Sequence, residues 1–373
     1  MRICLIYNFA QHYRKEIFEL IDKEFDCDFL FGDVMGDVKK MDYTNFRGVV
    51  TETHTIKLLS GFYYQPGVLP LLRKRKDYDA YILLGETRAI STWLFSLLAR
   101  FFPKKKIFFW SHGWYGKESK IETFLKKILF RLPNGGTFLY GNHARNLMIK
   151  EGFSSEKLYV IHNSLAYSQH LKIRKDLRRS SIYEDHFNNT NFNLIFVGRL
   201  TPVKRLDQLL YALSKCEEKG YCYNLTLVGE GSQLNELKVL TENLGLAGRV
   251  WFFGSSYDEV ELANFIYNAD LCVSPGNVGL TAIHSMTFGT PVLSHNCFKW
   301  QMPEYEAIKE GETGSFFEIN DINSLADSII SWLEKKSGER ESVRKACMDM
   351  IDMEWNPLYQ INLLKKVLLG NVE

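Results

Sequence analysis

The chain has 373 residues, of which 46% are hydrophobic and 24% charged, and its formal net charge is +2. This composition excludes an intrinsically disordered chain, and the near-neutral charge excludes a protein that binds nucleic acid through its overall charge. At about 100–200 residues per domain, the length predicts two domains. The seven cysteines include no CxxC pair and no metal-ligand spacing, which favours a reducing cytoplasm.

The first half of the chain predicts short strands separated by helices. The strand candidates are residues 2–6, 27–31, 80–84, 106–110, 137–140 and 158–161. The N-terminal apolar run is too short for a signal peptide, and the longest apolar stretch, 90–102, falls short of the ~20 residues that a spanning helix needs.

The strand candidates predict a first domain over 1–168. The polar, charge-rich composition of 169–192 predicts a linker to the second domain.

The second half predicts a parallel α/β sheet more clearly. Its strand candidates are 193–197, 224–228, 249–253, 270–274 and 291–295, and apolar residues recur with helical spacing between them. Five strands with intervening helices predict a Rossmann-like domain over 193–355, with the strand order 3-2-1-4-5. An amphipathic helix is expected within 356–373, and it could pack back on the first domain.

Two loops of this second domain predict a phosphate site. Ligands of open α/β sheets bind beyond the carboxyl ends of the strands where the strand order reverses, here at the first and fourth strands. The first strand runs into Arg199 and Lys204, and the fourth runs into the glycine-containing loop 276–280 ahead of a helix. Cations beside the free N–H groups of a helix N-terminus predict binding of a phosphorylated ligand, and we expect a diphosphate.

Four segments of this half resemble the second domain of glycosyltransferase family 4. They are VGRLTPVKRLDQLLYAL, LTLVGEGSQLNELK, RVWFFGSSYDEVELANFIYNAD and SPGNVGLTAIHSMTFGTPV, and they lie in order within 193–317. The resemblance implies the α/β GT-B fold, with two Rossmann-like domains that face each other across a cleft. It also implies a retaining hexosyltransferase that uses a nucleotide-diphosphate sugar as its donor.

The resemblance implies roles for individual residues as well. Arg199 and Lys204 would hold the donor diphosphate and so act in catalysis. The backbone amides that would bind the same diphosphate belong to Asn277, Val278, Gly279 and Leu280. Gly254 and Ser255 would lie near the nucleotide base.

The sequence departs from the family at two positions. The family signature has two glutamates separated by seven residues, and this chain carries Gly276 and His284 there. In the family, the first glutamate contacts the donor sugar and the second contacts the ribose. His284 can still hydrogen-bond a ribose hydroxyl through either ring nitrogen, or it can pack as a helix histidine against the sheet.

The first domain resembles the family less closely. His112, within Trp-Ser-His-Gly-Trp, follows a strand where the family often carries a His-Gly pair facing the reaction centre, and this suggests a catalytic role. The alternative is a buried histidine in an aromatic loop. Tyr13 and Arg14 follow the first strand, where they either face the acceptor or begin a surface helix.

We expect no metal and no other cofactor in the reaction. The predicted crevice supplies cations and lacks the DxD-type carboxylate cluster that would hold a divalent ion. Fixed positive groups can stabilise the leaving diphosphate in its place, since a single preorganised group contributes roughly 3–4 kcal/mol. No carboxylate nucleophile is evident, so we predict no covalent intermediate.

The acceptor is predicted to be a glycan or a lipid-linked sugar. Residues 71–140 contain 14 Lys or Arg but only 5 Asp or Glu, and this charge alternates with apolar runs at 71–76, 92–106 and 124–132. Such mixtures suit peripheral contact with an anionic membrane, here at its cytoplasmic face. They also occur in ordinary amphipathic helices whose lysines face water.

Three alternative functions make different demands on the sequence. An NAD-dependent oxidoreductase needs GxGxxG after a first strand, and neither 8–10 nor 198–200 supplies it. A non-catalytic nucleotide-sugar-binding protein remains open because both glutamates are missing. A nucleotide-sugar epimerase with the same two-domain shape is a further alternative.

Overall fold

The computed structural model describes residues 1–36, 38–73, 77–102 and 104–370. Residues 74–76 of the basic segment 71–76 lie outside this set. The chain divides into two compact units. Unit 1 combines residues 1–166 with 356–373, and unit 2 contains residues 167–355.

Unit 1 is built on a seven-stranded parallel sheet with the order β3-β2-β1-β6-β7-β8-β9, while β4 and β5 form a small antiparallel pair. Its strands are β1 (Arg2–Tyr7), β2 (Asp26–Gly32), β3 (Val50–Thr53), β4 (Ile56–Lys57), β5 (Tyr63–Tyr64), β6 (Ala80–Leu84), β7 (Lys106–Ser111), β8 (Gly136–Leu139) and β9 (Leu158–Val160). Its helices before residue 166 are α1 (Lys15–Glu24), α2 (Ile90–Ala99), α3 (Lys120–Leu129) and α4 (Asn142–Lys150). All six predicted strands are present, and the polar strand β3 was not predicted.

The sheet of unit 1 is buried on both faces. Phe18, Trp110 and Phe138 belong to the hydrophobic cluster on one face, and Phe95 and Phe109 belong to the cluster on the other. Burial on both faces explains why the central strands are near-continuous apolar runs rather than alternating ones. The sheet therefore holds the carboxyl ends of β1, β6, β7 and β8 in a fixed arrangement.

Unit 2 is a six-stranded parallel sheet with the order β12-β11-β10-β13-β14-β15. Its strands are β10 (Asn193–Val197), β11 (Asn224–Val228), β12 (Val250–Gly254), β13 (Leu271–Ser274), β14 (Val292–His295) and β15 (Gly314–Phe317). Its helices are α5 (Tyr167–Asp176), α6 (Ile182–Phe187), α7 (Leu206–Glu218), α8 (Leu234–Asn243), α9 (Glu259–Asn268), α10 (Leu280–Thr287), α11 (Ile322–Lys336) and α12 (Arg340–Glu354). The predicted order of the first five strands is confirmed, and β15 adds a sixth.

The segment predicted as a linker, 169–192, differs from the prediction. It holds most of α5 and all of α6, and it belongs to unit 2. The Tyr183 hydroxyl donates to the Phe265 carbonyl at 2.7 Å, and Arg174 forms an ion pair with Asp352 at 2.8 Å. The charge-rich composition concealed these anchors because only a few side chains of each short helix face the core.

The C-terminal helix α13 (Pro357–Leu369) packs in unit 1. Ile361 and Leu364 are buried in its hydrophobic core. Gln360 donates to the His162 carbonyl at 2.9 Å and accepts from the Ser164 hydroxyl at 2.7 Å. Among the residues that the structure describes, no helix has the length and apolar character needed to cross a bilayer.

Candidate functional site

The two predicted phosphate-binding loops of unit 2 are joined at Lys204. The Lys204 ammonium donates to the Asn277 carbonyl at 2.7 Å and to the Asn277 side-chain oxygen at 3.0 Å. In return, the Gly276 N–H donates to the Lys204 carbonyl at 3.0 Å. We call residues 199–204 and 276–280 the Lys204 cradle. Its contacts bring a cation to the loop that leads into α10.

Position 276 requires glycine because the loop 199–204 approaches it closely. A Cβ atom at this position would lie 2.0 Å from the Val203 carbonyl oxygen and 2.7 Å from the Lys204 Cα. Such distances are far below van der Waals contact, and both opposing atoms belong to the backbone. A glutamate, the residue of the family signature, therefore cannot occupy this position without moving the loops.

Gly279 places the N-terminus of α10 beside Lys204. Its φ of 53° and ψ of −150° define a conformation that is essentially restricted to glycine. A Cβ atom on Gly279 would lie 3.8 Å from the Lys204 ammonium. The first N–H groups of a helix lack intrahelical partners, so the amides of Gly279 and Leu280 supply donors next to the cation.

The amide of Val278 is already engaged. Its N–H donates to the Gln301 side-chain oxygen at 2.9 Å, and Gln301 in turn donates to the Ser294 hydroxyl at 2.8 Å. This structure therefore assigns Val278 to the internal bracing of the loop rather than to ligand binding. The bracing was not visible in the sequence, because Gln301 follows β14 and lies 23 residues away.

The Lys204 ammonium is unusually easy to neutralise. Burial lowers the pKa of Lys204 to about 8; the nearby Glu304 carboxylate acts in the opposite direction, and the Arg199 guanidinium lowers the pKa further. Arg199 itself is exposed, whereas Glu304 is buried. The predicted pair of cations is thus close enough to interact, and bound anionic charge would favour the protonated form of both.

The predicted base-side residues follow β12. Gly254 ends the strand with a φ of 93°, and its carbonyl accepts from the Gly229 N–H at 2.7 Å. Ser255 is exposed beyond it. Gly229 was not singled out in the sequence, yet a Cβ atom there would lie 1.9 Å from the Gly198 carbonyl. The sequence could have indicated this position, because the glycine directly follows β11.

His284 makes contacts that neither sequence interpretation included. Its Nε2 lies 3.1 Å from the Glu259 carboxylate, and the His170 Nε2 lies 3.1 Å from the same oxygen. Burial alone would raise the pKa of Glu259, but hydrogen bonds from His170 and His284 lower it overall. His284 is therefore held by a carboxylate within unit 2.

These three side chains are also the one group in the described part of the chain with the geometry of a metal site. One ligand atom from each of His170, Glu259 and His284 lies within 4.8 Å of the others. Two imidazoles and a carboxylate form a donor set that zinc accepts. His170 belongs to α5, in the segment predicted as a linker, so the sequence analysis could not bring it to His284.

The predicted residues of the first domain meet in one cavity of unit 1. This cavity has a volume of about 380 Å³, and Tyr13, Arg14 and His112 all line it. Arg14 is only 4% exposed, so the alternative of a surface helix start is wrong for this residue. We call this space the Arg14 cavity; its lining also includes Gln11 and Tyr140.

His112 is held as a neutral imidazole. Burial lowers its pKa to about 4, and the charges of Arg14 and Lys126 act in the same direction. The ring directly follows β7, and its centroid lies 4.6 Å from that of Tyr140. At neutral pH the uncharged ring can accept a hydrogen bond within the cavity, while its lowered pKa makes it a weak proton acceptor.

Comparison with known proteins finds a family similar to the second half of the chain. Residues 179–348 match the model of the family described as "Glycosyl transferases group 1". This part of the chain is therefore similar to group 1 glycosyl transferases. It contains the whole Lys204 cradle, so the cations and glycines described above lie within the matched region.

Curated relatives match the chain over part of its length. A "41.2 kDa protein in cps region" of Klebsiella pneumoniae is 26% identical over 201 residues, which are 52% of each chain. The D-inositol 3-phosphate glycosyltransferase of Mycolicibacterium smegmatis is 31% identical over 145 residues, or 38% of this chain and 32% of that enzyme. The chain thus spans about half of the first relative and about a third of the second.

Solved structures resemble the chain over its entire length. Anabaena HepE in complex with UDP has a TM-score of 0.75 at 15% identity, and the lipopolysaccharide outer core galactosyltransferase WaaB has a TM-score of 0.74 at 16% identity. Both comparisons cover 100% of both chains. At this identity they establish the fold: both units have the Rossmann-like architecture of GT-B glycosyltransferases, as the resemblance implied.

Proposed function

We propose that the protein is a retaining glycosyltransferase that moves a hexose-type sugar from a nucleotide-diphosphate sugar to a glycan or lipid-linked acceptor in cell-surface polysaccharide or glycoconjugate synthesis. The observation that carries the proposal is the contact of Lys204 with the loop that opens α10, inside the region that matches the model of group 1 glycosyl transferases. The relation to a cps-region protein and the fold shared with an outer-core galactosyltransferase support the acceptor class.

The Lys204 cradle would stabilise the leaving group. Breaking the bond between the donor sugar and its phosphate leaves a nucleoside diphosphate that gains negative charge. Lys204, Arg199 and the N-terminus of α10 are positive groups at one edge of the sheet, and each preorganised group of this kind contributes roughly 3–4 kcal/mol to transition-state stabilisation. The structurally similar HepE was solved with UDP, so we propose UDP as the nucleotide.

Charge balance by these groups would make a divalent metal unnecessary for transfer. The expected result is turnover that persists in excess EDTA. Loss of turnover that Mg²⁺ or Mn²⁺ restores would contradict this part of the proposal. Because His170, Glu259 and His284 could also hold an ion, the same assay on Glu259→Gln would show whether a metal effect arises there.

A peripheral membrane contact is proposed for unit 1, at the cytoplasmic face. Phe101 beyond α2 is 78% exposed, and Ile121 and Phe124 on α3 are 74% and 63% exposed. Lysines flank these apolar side chains at 104–106, 120 and 127. Exposed apolar residues beside lysines suit the boundary of an anionic membrane.

Co-sedimentation with vesicles tests the membrane contact. We expect binding to vesicles with anionic lipid at low salt, release at high salt, and weaker binding by Phe101→Ser/Phe124→Ser. Tyr211→Ser on α7 removes a partly exposed aromatic residue from unit 2 and serves as the matched control. Absence of binding at low salt would exclude the contact.

The central proposal is tested by donor binding followed by turnover. A thermal-shift series with UDP, GDP and their sugars should show stabilisation by one nucleotide, because a ligand at 100 times its Kd stabilises the folded state by about 2.7 kcal/mol. Release of the free nucleotide diphosphate with transfer of labelled sugar would then establish activity. No response to any nucleotide would contradict the proposal.

A non-catalytic nucleotide-sugar-binding protein is the second candidate. The structure favours it in one respect: the Gly276 position cannot take the glutamate of the family signature. Nucleotide binding without transfer or hydrolysis, with acceptor preparations of the cell-surface type present, would support this candidate over the enzyme.

A further inference from the structure

The Arg14 cavity contains a buried cation without a matching anion. Arg14 is 4% exposed, and its Nε and Nη2 atoms have no hydrogen-bond partner among the described residues. Its guanidinium carbon lies 4.5 Å from the ring centroid of Trp110 and 4.6 Å from that of Tyr7. Aromatic faces attract a cation, but they cannot accept the in-plane hydrogen bonds that a guanidinium directs outward.

The other charged side chains of the lining are ion-paired, hydrogen-bonded or exposed to solvent. Lys126 lies 2.7 Å from the Glu118 carboxylate and 3.5 Å from that of Glu122. The Glu86 carboxylate accepts a hydrogen bond from the Tyr63 hydroxyl at 3.0 Å. In the described part of the chain, Arg14 forms no ion pair with a carboxylate. Arg88, the remaining cation of the lining, is exposed to solvent.

Two uncharged groups in the same lining also lack partners. The Nδ1 of His112 and the side-chain oxygen of Gln11 are buried and have no hydrogen-bond partner among the described residues. The Gln11 amide nitrogen donates to the Asn8 side chain at 3.3 Å, which directs its oxygen elsewhere. Buried polar groups are nearly always hydrogen-bonded in a working state. The cavity thus combines the N–H groups of Arg14, which can bind an anion, with the Gln11 oxygen and the His112 Nδ1, which can each bind a hydroxyl group.

We propose that the Arg14 cavity binds a sugar that bears an acidic group, a carboxylate or a phosphate, and that Arg14 holds this group. A planar guanidinium forms paired hydrogen bonds with either anion, and such bonds are the stronger ones in proteins. Gln11 and His112 then bind hydroxyl groups of the same sugar. That this sugar is the acceptor rests on the proposed function; the anion site itself does not.

The anionic group could come from the acceptor sugar or from the donor diphosphate. The structure favours the acceptor because the donor cradle, with its own cations, is built entirely from residues of unit 2. Arg14 belongs to unit 1, in a cavity whose lining residues all lie within 7–163. Binding by the full-length protein can separate the two sources.

Calorimetric titration of the whole protein is the direct test. The probes are methyl α-D-glucuronoside, methyl α-D-glucoside 6-phosphate and neutral methyl α-D-glucoside, each with and without saturating UDP. We expect at least one acidic sugar to bind about tenfold or more tightly than the neutral one, since hydrogen bonds to charged groups contribute about 1.5–3 kcal/mol. Equal affinities for acidic and neutral sugars, or no binding of any, would overturn the proposal.

Variants locate the preference and identify its source. Arg14→Met should remove the preference for the acidic sugar while leaving the Kd for UDP unchanged, and Arg100→Met, an exposed arginine of unit 1, should change neither. Arg14→Lys keeps the charge without the fork and should retain only part of the preference. If UDP displaces the acidic sugar and Arg14→Met weakens UDP binding, the anion is the donor phosphate and the acceptor assignment is overturned.

The two proposals fail in different ways. Binding of the acidic sugar without any nucleotide binding would leave the Arg14 site intact and contradict the glycosyltransferase. Nucleotide binding and turnover with no preference for an acidic sugar would leave the glycosyltransferase intact and contradict the Arg14 site. Because the wild-type comparison needs no substitution, misfolding of an Arg14 variant does not affect this distinction.

Discussion

The Lys204 cradle of unit 2 and the Arg14 cavity of unit 1 are built in different ways. The cradle consists of two short loops in which the main chain provides most of the contacts, with Lys204 as its central side chain. The cavity is lined by side chains that follow β1, β6, β7 and β8 and that lie on α3. A site made of backbone and glycines leaves a contiguous signature in the sequence, whereas a site made of distant side chains does not.

Removing Lys204 should have the largest effect on the cradle. Lys204→Ala should lower the rate of transfer by at least about 10²-fold, because the leaving diphosphate loses a preorganised cation. Steady-state kinetics with a UDP-sugar measures this loss. Lys215→Ala, which removes a surface lysine paired with Glu218 on α7, is the control and should leave the rate unchanged. Near-normal turnover of Lys204→Ala would remove this residue from the site.

Introducing the glutamate of the family signature at position 276 should destabilise the Lys204 cradle. Gly276→Glu should lower the free energy of unfolding by about 3 kcal/mol, because its Cβ would meet the backbone of Val203 and Lys204. Gly248→Glu is the matched control, since a Cβ there meets nothing within 4 Å. Urea denaturation measures both variants. A stable and more active Gly276→Glu protein would show that the loops can separate at low cost.

The sequence was informative where the determinants are local. Short apolar runs separated by helical segments predicted the central strands, and the usual topology of a Rossmann-like sheet predicted the order of the first five strands of unit 2. Glycines and cations after two of these strands predicted the loops that meet at Lys204. These features depend on residues that are close in the chain or on the general topology of parallel sheets. The prediction failed for the segment 169–192, whose few core-facing side chains are diluted by exposed charges.

The remaining determinants arise only from tertiary packing. The need for glycine at 276 comes from the Val203 carbonyl, and the position of His284 depends on His170, which lies 114 residues earlier. Arg14 is buried because rings from β1, β7 and the end of β8 surround it. No pattern within a short window of sequence encodes these encounters.

The Arg14 cavity should make unit 1 sensitive to acid. The pKa of His112 is lowered to about 4 in the folded protein, whereas an unfolded histidine titrates near 6.5. Between these values the unfolded chain binds more protons, so this histidine makes stability fall as the pH decreases and has no effect above about 6.5. Between pH 7 and pH 5, the titration of His112 should lower the free energy of unfolding by about 2 kcal/mol.

Substitution isolates this histidine from the other acid-sensitive groups. His112→Gln should show a smaller loss of stability from pH 7 to pH 5 in urea denaturation than the parent protein does. His12→Gln replaces an exposed histidine of unit 1 and should keep the parent's pH dependence. His295, whose pKa burial lowers to about 4, is present in both variants and cancels in the comparison. Identical pH profiles for all three proteins would show that His112 is not buried as a neutral ring.

Binding of UDP to the Lys204 cradle should depend on pH in the alkaline range, from pH 7 to pH 9. Because the pKa of Lys204 is about 8 in the free protein, raising the pH from 7 to 9 deprotonates it and removes a cation from the site before the nucleotide arrives. Affinity for UDP should therefore fall by about tenfold between these pH values, as the protonated fraction of Lys204 does. Calorimetry of UDP binding at pH 7, 8 and 9 measures the change.

The control is Lys204→Arg, which keeps its charge throughout this range and should bind UDP with little dependence on pH. If the parent protein shows the same flat profile, the Lys204 ammonium does not contact the diphosphate, and the charge at this edge of the sheet must come from Arg199 and the amides of α10.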